Sequence, residues 1–207
     1  MDEAQALASA PARRGDWMQT YTGRMFWPLD PRSDEVEIVD IAHALSMQCR
    51  YAGHCRRFYS VAEHCVLMAE AVSPEHRLQA LMHDAAEAYL VDLPRPVKRQ
   101  IELYKVYEQR VHVAICARFG LSPEIPTAVH AADNRILRDE LEQAMLPPPE
   151  RWPAQDVEPL GVTLQFWSPN VAEFRFMALF DRLISGRPEG AGVAPISRTE
   201  RKAHGYG

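Results

Sequence analysis

The chain has 207 residues, 47% of them hydrophobic, and a formal net charge of −5. That length suggests one domain with a sizeable core and short extensions. The mild negative charge gives no reason to expect chain-wide binding to nucleic acid or an acidic membrane. No window approaches the roughly 18 apolar residues of a membrane span, and the opening MDEAQALASAPARRGD lacks the apolar stretch of a signal peptide. Cys49, Cys55, Cys65 and Cys116 show no CxxC spacing, so reduced thiols and a cytoplasmic location are expected.

In chain order, residues 1–16 read as a flexible leader. Trp17 to Pro31 is aromatic and punctuated by Gly and Pro, which suggests loop or short strand wrapped over the body. Ile38 to Cys49 has apolar residues at helical spacing. Arg50 to Tyr59 reads as a basic loop. Ser60 with Glu63 three residues on has the form of a capping box, opening the helix VAEHCVLMAEAV. A central helix is expected from about Pro74 to Leu90, followed by the Pro-rich exit from Asp92. Ile101 to Phe119 reads as a long amphipathic helix ended by Gly120. Pro126 to Met145 is another, with Val129, Ala132, Ile136, Leu137, Leu141 and Met145 inward, stopped by Pro147 to Pro149. Residues 147–169 read as loop with a short strand at VTLQFW. Asn170 is expected to cap a last helix, and residues 186–207 to form a disordered tail. The class is all-α.

Chemistry gathers around ALMHDAAEAYLVDLPRPVK, residues 80–98. His83 and Asp84 interrupt an apolar run, and Glu87 shares their helix face at i+4 and i+3. His64 lies on or beside the buried stripe of Val61, Cys65, Met68 and Val72, and Asp133 points inward among Val129, Ala132, Ile136 and Leu137. A carboxylate buried alone costs several kcal/mol or more, so each must be paired or bound to metal. One reading is a core ion pair such as His64 with Asp133 and no chemistry. The other is a metal site of two imidazoles and two carboxylates, a set that suits Mn, Fe, Co, Ni or Zn. The four residues together, with Glu87 alongside, favour the metal.

The order His64, His83-Asp84, Asp133 resembles the signature of the HD-domain metal-dependent phosphohydrolases. Arg50, the helix ending SVAEH at His64, HDAAE at 83–87 and DLPRPVK at 92–98 are similar to the bacterial 5′-deoxynucleotidase branch, over about residues 40–145. The resemblance implies a helical HD-domain bundle over residues 17–185, with an irregular N-terminal segment. It implies one divalent metal (Mn, Fe, Co, Ni, Zn or Mg) held by His64, His83, Asp84 and Asp133. It also implies an enzyme that removes the 5′-phosphate of deoxyribonucleoside monophosphates. Arg50 matches a phosphate-binding arginine. Tyr51 falls where that branch has a tryptophan against the sugar, a departure that puts the deoxy preference in doubt. Glu87 and Asp92 match the acidic residues that handle the attacking water and proton transfer. Lys98 follows the motif, with a solvated lysine as the alternative to a phosphate contact.

His54, Arg56 and Arg57 form a basic cluster that is either a solvated loop or a cradle for further phosphates, as in the HD-type dNTP triphosphohydrolases. A metal-dependent nucleotide sensor without turnover is a third reading. His112 and His130 lie where a second metal would draw ligands, but their spacing gives no histidine pair and Glu87 stands where the cyclic-di-GMP hydrolases carry lysine. His43 and His76 read as packing or surface residues. TYTGRMFWPLD resembles the start of a widespread group of bacterial and phage HD proteins. It either covers an apolar edge or lends Arg24 or Trp27 to the pocket. The expected partner is a nucleotide, with no nucleic-acid polymer and no membrane; homodimers are common in the resembling branch.

Overall fold

The computed structural model describes residues 13–186, and the fold there is mostly helical. The residues at 1–12 and 187–207, which include most of the expected leader and tail, lie outside the described part. Eight α-helices are described: α1 (Ile38–Met47), α2 (Val61–Ala71), α3 (Arg77–Met82), α4 (Glu87–Leu90), α5 (Arg95–Lys98), α6 (Glu102–Phe119), α7 (Thr127–Ala144) and α8 (Pro169–Ser185). One two-stranded antiparallel hairpin precedes them, β1 (Met18–Gln19) with β2 (Met25–Phe26), in which Met18 pairs with Phe26.

The centre of the molecule is α2, where every residue from Val61 to Ala69 is buried. It packs against α1, α3, α7 and α8. Each large apolar side chain removed from water here contributes about 1.5–3 kcal/mol, so this helix is a rigid platform for anything it carries inward. Ser60 caps it, its Oγ accepting from Glu63 N at 3.0 Å. The expected return bond from Glu63 is not made. Its carboxylate instead accepts from the backbone N–H groups of Gln165, Phe166 and Trp167 at 2.7–2.9 Å.

That diversion explains why VTLQFW is no strand. Its amides are taken by helix side chains: Leu164 N by Gln143, and the next three by Glu63. Just upstream, Asp139 accepts from Leu160 and Gly161 N. With four of its six amides taken by side chains, the segment has few donors to give a ladder. The last helix begins at Pro169 with Ser168 as N-cap rather than at Asn170, because proline is favoured in a first turn that needs no N–H. Gly120 ends α6 in the left-handed conformation at φ 61°, as expected.

Residues 13–16, assigned above to the leader, are tied to the body. Arg13 pairs with Asp30 and Glu35 and lies over the Trp27 ring. Arg24 pairs with Glu37 at 2.8 Å. The hairpin's Phe26 is fully buried, stacked on Tyr89 at 3.8 Å between centroids. Among the described residues no helix is long and apolar enough to cross a membrane, and all four cysteines are free thiols.

Candidate metal centre

The expected helix from Pro74 to Leu90 is broken where the chemistry lies. After α3, Ala85 N bonds Met82 O, Glu87 N bonds Asp84 O and Ala88 N bonds Ala85 O, all i to i+3 contacts at 2.9–3.2 Å. The chain tightens into 3₁₀-like turns through His83-Asp84 before α4 resumes. His83 Nδ1 lies 2.8 Å from the carbonyl of Ala80. A carbonyl can only accept, so Nδ1 carries the proton and Nε2 presents its lone pair.

His64, on α2, is arranged the same way. Its Nδ1 is 2.7 Å from Glu140 Oε1, and its Nε2 is 3.3 Å from Nε2 of His83. Asp84 Oδ2 lies 3.1 Å from His83 Nε2 and 3.6 Å from His64 Nε2. Asp133 Oδ1, from α7, lies 3.5 Å from His64 Nε2 and 3.9 Å from His83 Nε2. His64, His83 and Asp133 thus offer ligand atoms all within 4.8 Å of one another, and Asp84 Oδ2 stands beside both imidazoles. Ligands about 2.0–2.2 Å from a common ion stand roughly 3–3.6 Å apart in octahedral or tetrahedral geometry, so the two imidazoles with a carboxylate are close to that spacing and could hold a divalent cation. Cys65, His83 and Asp84 also cluster. The thiol, however, faces His83 Nδ1 at 4.0 Å, the nitrogen already given to Ala80, so Cys65 joins no shared ion with that ring.

The electrostatics prepare these groups. Burial would push Asp133 up, but the His64 contact and the His83 charge bring it down to about 2. Asp84, half-buried, is held well below the usual carboxylate range by His83, His64 and Arg50. The reciprocal effect raises His83 against its own burial, with Asp84 the chief cause, and Glu140 raises His64. Protons and a metal thus compete for the same imidazoles.

Arg50 forms one wall. It is 8% exposed. Its Nη2 donates to Glu140 Oε2 at 3.2 Å, Nε lies 3.2 Å from Oε1, and Nη1 faces Asp84 Oδ2 at 3.7 Å. Only Nη1 is left on the metal side. Tyr51 does not present a flat ring to the metal point. Its hydroxyl bonds Glu140 Oε2 at 2.5 Å, and its ring tilts toward Trp152. Tyr51 and Ala52 both adopt positive φ, 55° and 51°, a conformation costing roughly 1–2 kcal/mol per residue. The turn is closed at its base where Cys49 bridges Ser60.

A second wall carries Glu87, Asp92 and Lys98. Glu87 is 5% exposed, and its Oε2 has no hydrogen-bond partner among the described residues. Burial, then the charges of Asp84 and Asp92, push its carboxyl well above the usual range. Asp92 is raised chiefly by burial. Val91, between them, takes φ 71°, an outlier for a β-branched residue. Gln48 clamps the bend: its amide donates to Glu87 O at 3.0 Å and its carbonyl accepts from Asp92 N at 3.1 Å. Lys98 is partly exposed but paired: it meets Glu108 and lies 3.9 Å from Glu87 Oε1.

The basic loop stands apart from this point. His54 and Arg56 line a different, mostly apolar cleft with Leu141, Met145 and Trp152, and Arg57 lies over the Phe166 ring at 4.3 Å. His112 Nε2 bonds the carbonyl of Pro123, and His43 bonds Glu173 and stacks on Tyr21. Arg24 and Trp27 are engaged in the hairpin contacts described above. Two contributors were not anticipated from the sequence: Gln48 and, above all, Glu140. A signal existed for the second, since Glu140 follows Asp133 by two helical turns and so shares its face.

Over 171 aligned residues the chain is 37% identical to the Escherichia coli (strain K12) protein described as "Uncharacterized protein YfdR", an alignment spanning 81% of this chain and 95% of that protein. It is 38% identical over 141 residues to an uncharacterized protein of Rhodobacter capsulatus, spanning 61% of this chain and 72% of the relative. No family model matches the chain.

Proposed function

We propose that this chain, which belongs to the family of the Escherichia coli protein YfdR, is a metal-dependent phosphohydrolase of the HD-domain type. The reaction we assign to it is hydrolysis of a nucleotide phosphoester, first of all removal of the 5′-phosphate from deoxyribonucleoside monophosphates. The observation that carries the reading is the convergence of the Nε2 atoms of His64 and His83, 3.3 Å apart, with Asp84 and Asp133 closing the set.

A divalent ion held by those four residues would make hydroxide accessible near neutral pH and draw charge from a phosphoryl oxygen. The chain's own groups supply the rest. Arg50 keeps Nη1 toward the metal side, where it can donate to a non-bridging phosphoryl oxygen end-on, while Nη2 and Nε face Glu140. Glu87, kept protonated by burial, can give a proton to the leaving oxygen. Asp92, held against it by Gln48, sits where it can accept one.

A screen of metal-stripped protein reloaded with Mn²⁺, Co²⁺ or Zn²⁺ against dNMPs and dNTPs, with product identification, tests this. Orthophosphate from dNMPs is expected, and Asp84→Ala should lose metal and activity together. Triphosphate from dNTPs would move the reaction to the α-phosphate. Nucleotide binding with no product under every metal would leave a sensor and sink the enzyme reading.

A further inference from the structure

We infer that Glu140 is a positioning residue that fixes, through one buried carboxylate, both the metal-facing nitrogen of His64 and the orientation of Arg50 and Tyr51. The inference rests on the metal centre proposed above. It goes beyond that centre by assigning a group outside the four ligands and outside the phosphate-facing wall.

The geometry carries it. Glu140 is fully buried. Oε1 faces His64 Nδ1 at 2.7 Å, while Oε2 takes Nη2 of Arg50 and the hydroxyl of Tyr51. These donors come from two separate elements, α2 and the strained turn at Arg50–Gly53. With the Arg50 guanidinium and the Tyr51 hydroxyl both donating to it, Glu140 acts as an acceptor toward the imidazole as well, and the proton on the His64 ring sits on Nδ1. The other nitrogen is then bare and faces Asp84, Asp133 and His83. Both carboxylate oxygens are used, so the group cannot rotate to improve one side without releasing the other. The tyrosine tether also holds a turn in which Tyr51, Ala52 and Gly53 all have positive φ.

A buried carboxylate serving stability alone could be exchanged without changing which imidazole nitrogen is protonated. A positioning carboxylate cannot, and outer partners of ligating histidines typically contribute ten- to a hundredfold in metal affinity. His83 supplies an internal control, because its Nδ1 is fixed by the Ala80 carbonyl rather than by a side chain.

The test is zinc binding by chelator competition, together with ¹⁵N–¹H spectra of the histidine rings in zinc-loaded protein. Wild type should show protected Nδ1–H signals from His64 and His83. Glu140→Gln should weaken zinc binding about ten- to hundredfold and shift or broaden the His64 signal while the His83 signal stays. If that variant does not fold, Glu140→Asp keeps the charge beside Arg50 but withdraws the oxygens by one methylene, and the same two changes are expected. Zinc affinity within about twofold of wild type, far short of an outer partner's usual share, with an unmoved His64 signal would overturn the inference. So would a wild-type spectrum with His64 protonated on Nε2. None of these readouts uses turnover. Failure of the phosphohydrolase reading, or a wild type that takes up no zinc, is thus told apart from failure of this one.

Discussion

The two walls of the candidate site are built on opposite principles. On the His64 side most donors meet acceptors: the Nδ1 proton, Arg50 Nη2 and the Tyr51 hydroxyl all end on Glu140, and only Arg50 Nε, 3.2 Å from Oε1, is buried without a hydrogen bond. On the Glu87 side a carboxyl is buried with one oxygen that meets no donor among the described residues, beside a second acid whose pKa is also raised. A densely paired network in low dielectric fixes atoms in place. An unsaturated acid in the same surroundings holds on to its proton and has an oxygen available for exchange. The difference separates a wall suited to holding an ion from one suited to moving protons.

The sharpest way to break this comparison is Glu87→Gln. An amide of the same shape keeps the packing but cannot donate an acid proton. We expect metal uptake to be unchanged and turnover to fall about 10²- to 10⁴-fold, the usual share of general acid–base catalysis. Stability gives an independent readout. The Glu87 carboxyl is raised well above 4.5 in the folded state. Its favourable contribution is therefore complete at acid pH and is lost as pH rises through the folded value. In metal-free protein, Glu87→Gln should gain on wild type in urea melts as pH climbs past 4.5. A constant difference across that range would mean the acid is not held protonated.

Arg50→Ala strikes the His64 wall. It leaves Glu140 buried with His64 and Tyr51 but without its cation, and breaking a buried pair from one side typically costs about 3–5 kcal/mol. We expect a loss of that order in urea melts. A loss below about 1 kcal/mol, as for an exposed pair, would show that water reaches Glu140 and that the two walls differ less than their geometry indicates.

What was legible in the sequence follows the same division. Periodicity places the apolar faces, and the ordered histidines and acids mark groups that no core would tolerate without a use. The helices around His64 and Asp133 and the Gly120 stop all follow from local pattern. Less local features did not. Glu63 fits a capping box by spacing, yet a loop a hundred residues downstream offers its carboxylate three amides, a better set of donors than the one at its own cap. The break at His83-Asp84 comes from tertiary demand within an apolar helical run that carries no Gly or Pro. Glu140 sits between Asp139 and Leu141 on a helix rich in charge, and its place two turns after Asp133 is the one local mark it carries. Only the arrival of Arg50, Tyr51 and His64 from other elements makes it interior.

The smallest expected effect is the most discriminating for the proton-moving wall. Lys98 lies between Glu108, its close partner, and Glu87, with 29% of its side chain exposed. A phosphate-binding lysine would raise KM when removed. A lysine that only tunes Glu87 would leave KM alone and act through its field. Partly exposed pairs contribute about 0.2–1 kcal/mol, which corresponds to at most about 0.7 of a pKa unit. The sign is fixed: the cation lowers the Glu87 carboxyl, so Lys98→Ala raises it further and keeps the acid protonated to higher pH. We therefore expect kcat at neutral pH to change by less than about tenfold, KM to hold, and the alkaline fall of kcat to move upward by a fraction of a unit. An unshifted alkaline limb with a raised KM would place Lys98 on the phosphate instead, and the cation of that wall would then serve substrate binding, the role proposed for Arg50.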